Sequence, residues 1–331
     1  MAQRQSDKTA SSTNSTGVLL GLACGDALGR PVESESPEAI QREYGTITEM
    51  LGDGVHQKPA GTVTDDTDLA LCIARSLHER REFDPADIAE RFVEWYNANP
   101  FSIGQTTQWA LYDLSTGFAW DEAGKRAWEG NNAGNGSVMR CAPLAVAYQD
   151  DHEALVEVSI QSSVITHYDP HCVYGCAALN LTLAELLDGA TDPLERTLDT
   201  LVGRAPVEVI EALSPICDAT PGSPIEAERL DPSSYVLDTL RAALSHALAA
   251  ESAEEGIVAA VNGGGDADTI GAITGALVGA RFGTDGLPER WLAEVDETKP
   301  LTRLSHSLAE GPLGTTAASD DYQYDPPEDS G

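Results

Sequence analysis

Apolar residues recur along this chain at helical spacing, and that period narrows the choice of fold more than any other feature. In Leu69-Ala-Leu-Cys-Ile73-Ala-Arg-Ser-Leu77 they fall at i, i+4 and i+8, a single stripe along one helix. The same spacing runs through 88–96 (Ile88, Phe92, Trp95), 105–114 (Trp109, Tyr112, Leu114), 153–165, 172–187, 235–250 and 269–282. Period-two alternation bounded by turn residues is scarce, and Gly45–Leu51 is too short to build a sheet. Tight connectors carry Pro or Gly, as in Asn99-Pro100, Asp169-Pro170 and Asp285-Gly286. The pattern predicts an all-α fold, a single domain of packed helices over residues 15–312. Residues 1–14 are polar and 313–331 acidic, and both are expected to be disordered tails. The stretch 217–233 reads as an exposed loop between helices.

With 331 residues and 41% hydrophobic content, the chain can bury a large core. It has no apolar run of membrane-spanning length and no apolar core in its first fifteen residues, so a cytoplasmic protein, monomeric, is expected. Twenty basic residues against 54 acidic ones give a net charge of −34, which excludes nucleic acid and anionic membrane as partners. Only Lys8, Lys58, Lys125 and Lys299 are lysines; such acid-rich, lysine-poor composition resembles proteins of salt-loving archaea, whose cytoplasmic salt screens self-repulsion. The six cysteines form no CxxC and sit mostly in apolar stretches, as small hydrophobes do. Cys172 and Cys176, with His167 and His171 before them, match no usual zinc spacing.

Carboxylates cluster where two helices should begin. Thr64-Asp65-Asp66-Thr67-Asp68 precedes the 69–77 stripe, and capping explains one or two of these residues. Three carboxylates and two hydroxyls in five residues exceed what a cap uses. Asn262-Gly-Gly-Gly-Asp266-Ala-Asp268-Thr269 repeats the pattern, with glycines that permit close backbone approach or positive φ. Asp-rich loops are common in an acidic protein, so either cluster alone is weak. Two of them at two helix starts suit a hard divalent cation, which relieves their repulsion. Gly134-Asn135-Gly136-Ser137 is either a plain turn or backbone that presents N–H groups to an anion.

Six segments in order resemble the ADP-ribosylglycohydrolase family: Gly21-Leu-Ala-Cys-Gly-Asp-Ala-Leu-Gly-Arg-Pro-Val-Glu33, Thr64–Thr67, Ile103–Thr107, Gly134–Arg140, Thr166–Pro170 and Gly264–Thr269. The resemblance implies an all-α orthogonal multi-helix bundle holding two Mg2+ or Mn2+ ions at the mouth of a cleft. Matched by motif, their ligands are Thr64, Asp65, Asp66, Asp266, Asp268 and Thr269. It implies a hydrolase that cleaves the glycosidic bond between ADP-ribose and an acceptor, either an ADP-ribosylated protein side chain or a small ADP-ribosyl compound. By itself Glu33 is an ordinary glutamate in a Gly/Pro-rich loop; the resemblance brings it near the substrate ribose as the proton-transfer group, with Asp65 or Asp66 sharing the work. It also assigns Gly104, Asn135, Gly136, Ser137 and His167 to the substrate. Asp26 is expected to cap or turn the chain, Thr106 and Thr107 to cap a helix, and Met139, Cys141, Tyr168 and Trp109 to be core. Two rivals remain: a two-metal phosphoester hydrolase, for which no βα phosphate scaffold is visible, and a catalytically silent crystallin-like or ADP-ribose-binding protein on the same fold.

Overall fold

The computed structural model describes residues 2–128, 132–218, 222, 230–310, 313–315 and 322–327, with side chains from residue 13 onward except at position 315. Among these residues sixteen α-helices follow one another. The first half holds α1 (Ala2–Gly29), α2 (Pro37–Glu43), α3 (Asp65–Arg80), α4 (Pro85–Asn97), α5 (Gln105–Ser115), α6 (Trp120–Ala127), α7 (Ala142–Tyr148) and α8 (His152–Val164). The second holds α9 (Pro170–Leu187), α10 (Pro193–Leu201), α11 (Val207–Leu213), α12 (Val236–Ala249), α13 (Ala253–Asn262), α14 (Ala267–Phe282), α15 (Glu289–Glu294) and α16 (Thr298–Leu308). Each window of helical spacing lies in a helix, and the fold is all-α. Extended pairing among the described residues is one two-residue parallel sheet, Glu82–Phe83 against Gly314–Thr315. No described helix is long and apolar enough to cross a membrane.

Local chemistry sets several helix starts. Asp84 accepts from the Asp87 amide at 3.0 Å ahead of Pro85, and Asp169 accepts from the His171 amide at 2.9 Å ahead of Pro170. In both, an Asx cap is followed by a proline whose missing N–H would have gone unpaired anyway.

The central packing is one antiparallel helix pair, α1 against α14. Gly17, Gly21, Gly25 and Gly29 recur at every fourth position and face Gly279, Gly275, Gly271 and Ala267. A β-carbon at Gly21 would lie 2.0 Å from the Gly275 carbonyl oxygen, and one at Gly25 would lie 1.9 Å from that of Gly271. At these glycines only hydrogen fits, so the two backbones approach far more closely than larger side chains would let them. The segment Gly25–Gly29, expected as part of a loop, is therefore the last turn of α1. The consequence is functional: the seam brings the end of α1, leading to Glu33, beside the start of α14, which carries Asp268.

The ends differ from the expected tails. Helix α1 begins at Ala2, inside the stretch 1–14, because no Gly or Pro interrupts residues 2–16 and a helix anchored by buried Ser15 and Thr16 propagates backwards. In the acidic stretch 313–331, residues 322–327 dock on the body. The Tyr322 ring lies 5.0 Å from Trp120, and Tyr324 lies 5.2 Å from Tyr168 while donating to the Tyr168 carbonyl at 2.8 Å. The Tyr168 hydroxyl donates in turn to the Asp325 carbonyl. Aromatic burial offsets the cost of ordering a charged segment that net charge alone would leave free. Of the expected loop 217–233, residues 219–221 and 223–229 lie outside the described residues; Cys217 and Asp218 close a 3₁₀ turn.

Candidate functional site

The N-termini of α3 and α14 open into one cleft of about 310 Å³. Asp26, buried in α1, fixes the first. Its carboxylate accepts from the Thr64 amide at 3.0 Å, the Thr67 amide at 3.2 Å and the Thr67 hydroxyl at 2.5 Å, so it caps α3 from a neighbouring helix. Burial pushes Asp26 up to about 7 in spite of these donors. The Thr64 hydroxyl lies 3.0 Å from Asp26 and 3.1 Å from Asp66 and shares its one proton between them. Thr64 is thus the N-cap of α3 and does not line the cleft, although it was expected among the metal ligands.

Asp65 and Asp66 do line it. The Ser102 hydroxyl donates to Asp65 at 2.6 Å and the Gly104 amide approaches it at 3.4 Å, so Gly104 serves Asp65 as well as the cleft wall. The Asp66 Oδ1 atom is buried and has no hydrogen-bond partner. The second terminus is set by Gly264 and Gly265 at φ of +70° and +65°, where β-carbons would strike the Glu35 and Pro232 carbonyl oxygens. Both features foreseen for this glycine run, positive φ and close approach, are present. The Gly265 carbonyl accepts from Ser34 at 2.6 Å and its amide donates to Glu35 at 2.8 Å, tying the turn after Glu33 to the turn before Asp266. Asp266, Asp268 and Thr269 all face the cleft. The Asn135 amide group holds Asp266 at 2.8 Å and Thr239 at 2.9 Å, a structural link that sequence spacing did not reveal.

The opposite wall is the 134–140 turn with His167. Arg140, wholly buried with its guanidinium 4.6 Å from the centroid of the Phe92 ring, donates to the Gly136 carbonyl at 2.8 Å and the Thr166 hydroxyl at 2.6 Å. The Thr166 hydroxyl, which accepts from Arg140, is also hydrogen-bonded to His167 Nδ1 at 2.8 Å. The other ring nitrogen, Nε2, lies toward Gly134 and Gly136. Burial, and then the Arg140 charge, pull His167 down to about 3, so it is a neutral donor. Ser137, expected to meet substrate, instead accepts from the Ser163 hydroxyl at 2.9 Å and receives the Cys176 thiol behind the wall, outside the cleft lining. The Gly134 and Asn135 amides go to Asn132 and Ser234, and Gly136 is the next residue of this turn that lines the cleft. The cap of α5 is Gly104, not a threonine; Thr107 is buried with an unpartnered hydroxyl at the cleft. Tyr168, Met139 and Cys141 are core, whereas Trp109 is 38% exposed.

Glu33 stands at the rim, half-buried, with one carboxylate oxygen against His56 Nε2. No motif marked His56, a lone histidine in a loop. On the floor, burial raises Asp65, Asp66 and Asp268, the last two well above the ordinary carboxylate range. Neighbouring carboxylates add to it: Asp26, Asp65 and Asp266 for Asp66, and Asp266, Asp66 and Glu33 for Asp268. Among the described residues no Lys or Arg lines the cleft. Arg30, wholly buried and close by, spends its guanidinium on the carbonyls of Leu51, Asp53, Lys58, Pro59 and Thr62. Among the described residues no three His, Cys, Asp or Glu side chains close into a ready-made metal cage. The donor set nonetheless fits a hard cation, since it is all oxygen, lacks a counter-charge and leaves Asp66 Oδ1 unsatisfied.

Known proteins resemble this chain in sequence and fold. The family model for ADP-ribosylglycohydrolases matches residues 7–317. The ADP-ribosyl-dinitrogen reductase glycohydrolase of Rhodospirillum rubrum is 31% identical, the match spanning 85% of this chain and 89% of that protein. The ADP-ribosylarginine hydrolase Tri1 of Pseudomonas putida is 33% identical over 88% of this chain and 76% of its own length. A solved ADP-ribosylglycohydrolase-related protein complex superposes with a TM-score of 0.75 at 33% identity, covering 91% of this chain and 98% of that one.

Proposed function

We propose that this chain, which belongs to the ADP-ribosylglycohydrolase family, hydrolyses the bond between the ribose C1″ of ADP-ribose and an acceptor, with two divalent cations on the carboxylate floor of the cleft. The family and its named members are glycosidic hydrolases of ADP-ribose linkages. The observation that carries the metal reading is the floor itself: Asp65, Asp66, Asp266 and Asp268 converge at two helix N-termini, and no basic side chain among the described residues lines the cleft. Asp65 and Asp66 would hold a cation from one side, and Asp266, Asp268 and Thr269 from the other. Thr64 joins them only by giving up Asp26. When bound, Mg2+ or Mn2+ supplies Lewis acidity, lowering the pKa of water and stabilising charge at the ribose.

The chain's own groups supply the rest. Asn135 aims Asp266, and Ser102 aims Asp65. The Gly136 backbone at the cleft wall suits the diphosphate, which a protein of net charge −34 must attract locally. His167, held neutral, donates from Nε2 to an oxygen of the ligand and moves no proton in the working pH range. Glu33 carries the proton transfers from the rim, where solvent and substrate both reach it. The reading extends to a monomer in the cytoplasm of a salt-adapted cell.

The test is a panel of defined linkages, ADP-ribosyl-arginine peptide first, incubated at high salt with Mg2+ or Mn2+. Released ADP-ribose, abolished by chelation, is expected. Binding of cation and ADP-ribose with no release from any linkage would leave a silent binding protein on the same fold.

A further inference from the structure

We infer that His56 is a positioning residue for Glu33, and that the loop 51–62 is built to hold it there. This rests on the reading of Glu33 as the proton-transfer group. Glu33 follows Arg30-Pro31-Val32, a buried 3₁₀ turn, and its side chain stands free of any helix. One carboxylate oxygen meets His56 Nε2. The other, Oε1, has no hydrogen-bond partner among the described residues, and Glu33 lines the cleft. A single donor on Oε2 fixes the rotation of the carboxylate and leaves Oε1 for substrate.

The loop that supplies His56 is anchored at the same turn that supplies Glu33. The guanidinium of Arg30 reaches five loop carbonyls, those of Leu51, Asp53, Lys58, Pro59 and Thr62, at 3.0–3.4 Å. Asp53 and Lys58 exchange backbone hydrogen bonds at 2.7 and 3.4 Å, closing a tight turn that displays His56. Three residues of that turn, Asp53, Gly54 and Gln57, have φ between +53° and +63°, and Gly54 lies so close to Pro31 that a β-carbon would come within 2.4 Å. Strained backbone of this kind persists only where its surroundings fix it. Beyond His56, Phe101 packs edge-on at 5.3 Å, and the Lys58 ammonium sits 4.5 Å from the centroid of the Phe101 ring. The imidazole is thus oriented by packing on one side and by Glu33 on the other.

Four variants test this, read by kcat and KM separately, by Mn2+ affinity and by melting temperature. His56→Ala is expected to lower kcat ~10–100-fold, as loss of an orienting partner does, with KM and Mn2+ affinity unchanged. Added imidazole should restore part of that loss, and His56→Gln should retain part of the rate. Gly54→Ala, which displaces the loop without touching either side chain, should lower kcat in the same direction. The double variant His56→Ala/Glu33→Gln should be no slower than Glu33→Gln alone, since both act through one carboxylate. Wild-type kcat in His56→Ala, a loss that multiplies with that of Glu33→Gln, or a parallel fall in Mn2+ affinity would each overturn the inference. Undiminished turnover in Glu33→Gln would sink the reading of Glu33 itself, and the inference with it.

Discussion

The floor of the cleft and the wall facing it treat their polar groups in opposite ways. On the floor, Asp66 keeps an unpartnered buried oxygen, and burial and neighbouring carboxylates disfavour ionisation of Asp66 and Asp268. On the wall, Arg140, Thr166 and His167 form a hydrogen-bonded chain that ends at the cleft lining. The floor crowds carboxylates against one another, whereas the wall links its polar groups into one hydrogen-bonded chain. Stability and function therefore oppose each other on the floor and coincide on the wall.

The sharpest way to break that contrast is Asp66→Asn. The folded-state pKa of Asp66 is raised, so the folded protein penalises the ionised form, and the penalty is present above the unfolded value near 3.8. The metal-free variant should melt above the metal-free wild type at pH 8. It should also lose the metal-induced rise in melting temperature and activity on the order of 10³-fold, several kcal/mol of transition-state stabilisation. Calorimetry with and without chelator decides; a lower melting point in the metal-free variant would refute an unsatisfied floor. On the wall, Thr166→Val should do the reverse. It strands Arg140 Nη2 and His167 Nδ1 and should cost about 1–3 kcal/mol in metal-free protein, with KM raised and Mn2+ affinity intact. A Thr166→Val protein as stable as wild type would mean the chain of donors is incidental.

The helices were legible because their apolar stripes are local, and the two Asp clusters because they stand at helix starts. The α1–α14 seam was hidden: Gly25 and Gly29 look like loop residues unless Gly271 and Ala267 are known to face them. Thr64 and Ser137 match the pattern of ligands, but side-chain direction decides their roles, and here the hydroxyls turn to Asp26 and Ser163. His56 meets Glu33 from 23 positions away, across α2 and the loop after it, and no periodicity records such a contact. Tyr322 and Tyr324 sit in so acidic a stretch that its charge outweighed two aromatic rings.

The smallest effect concerns pH, and it probes the wall alone. His167 is depressed to about 3 in the folded state against 6.5 for the free side chain. The unfolded chain therefore binds the proton first, and the stability that goes with neutral His167 is intact above pH 6.5 and lost as pH falls toward 3. By pH 5.5 the loss is on the order of 1 kcal/mol. His167→Gln cannot take up that proton, so its stability should fall less steeply than that of the wild type between pH 7 and 5.5. Denaturant titrations of the two proteins across this window measure the difference in slope. Parallel slopes would mean that His167 is protonated within the fold, and the wall would then present a cation to the ligand instead of a neutral donor.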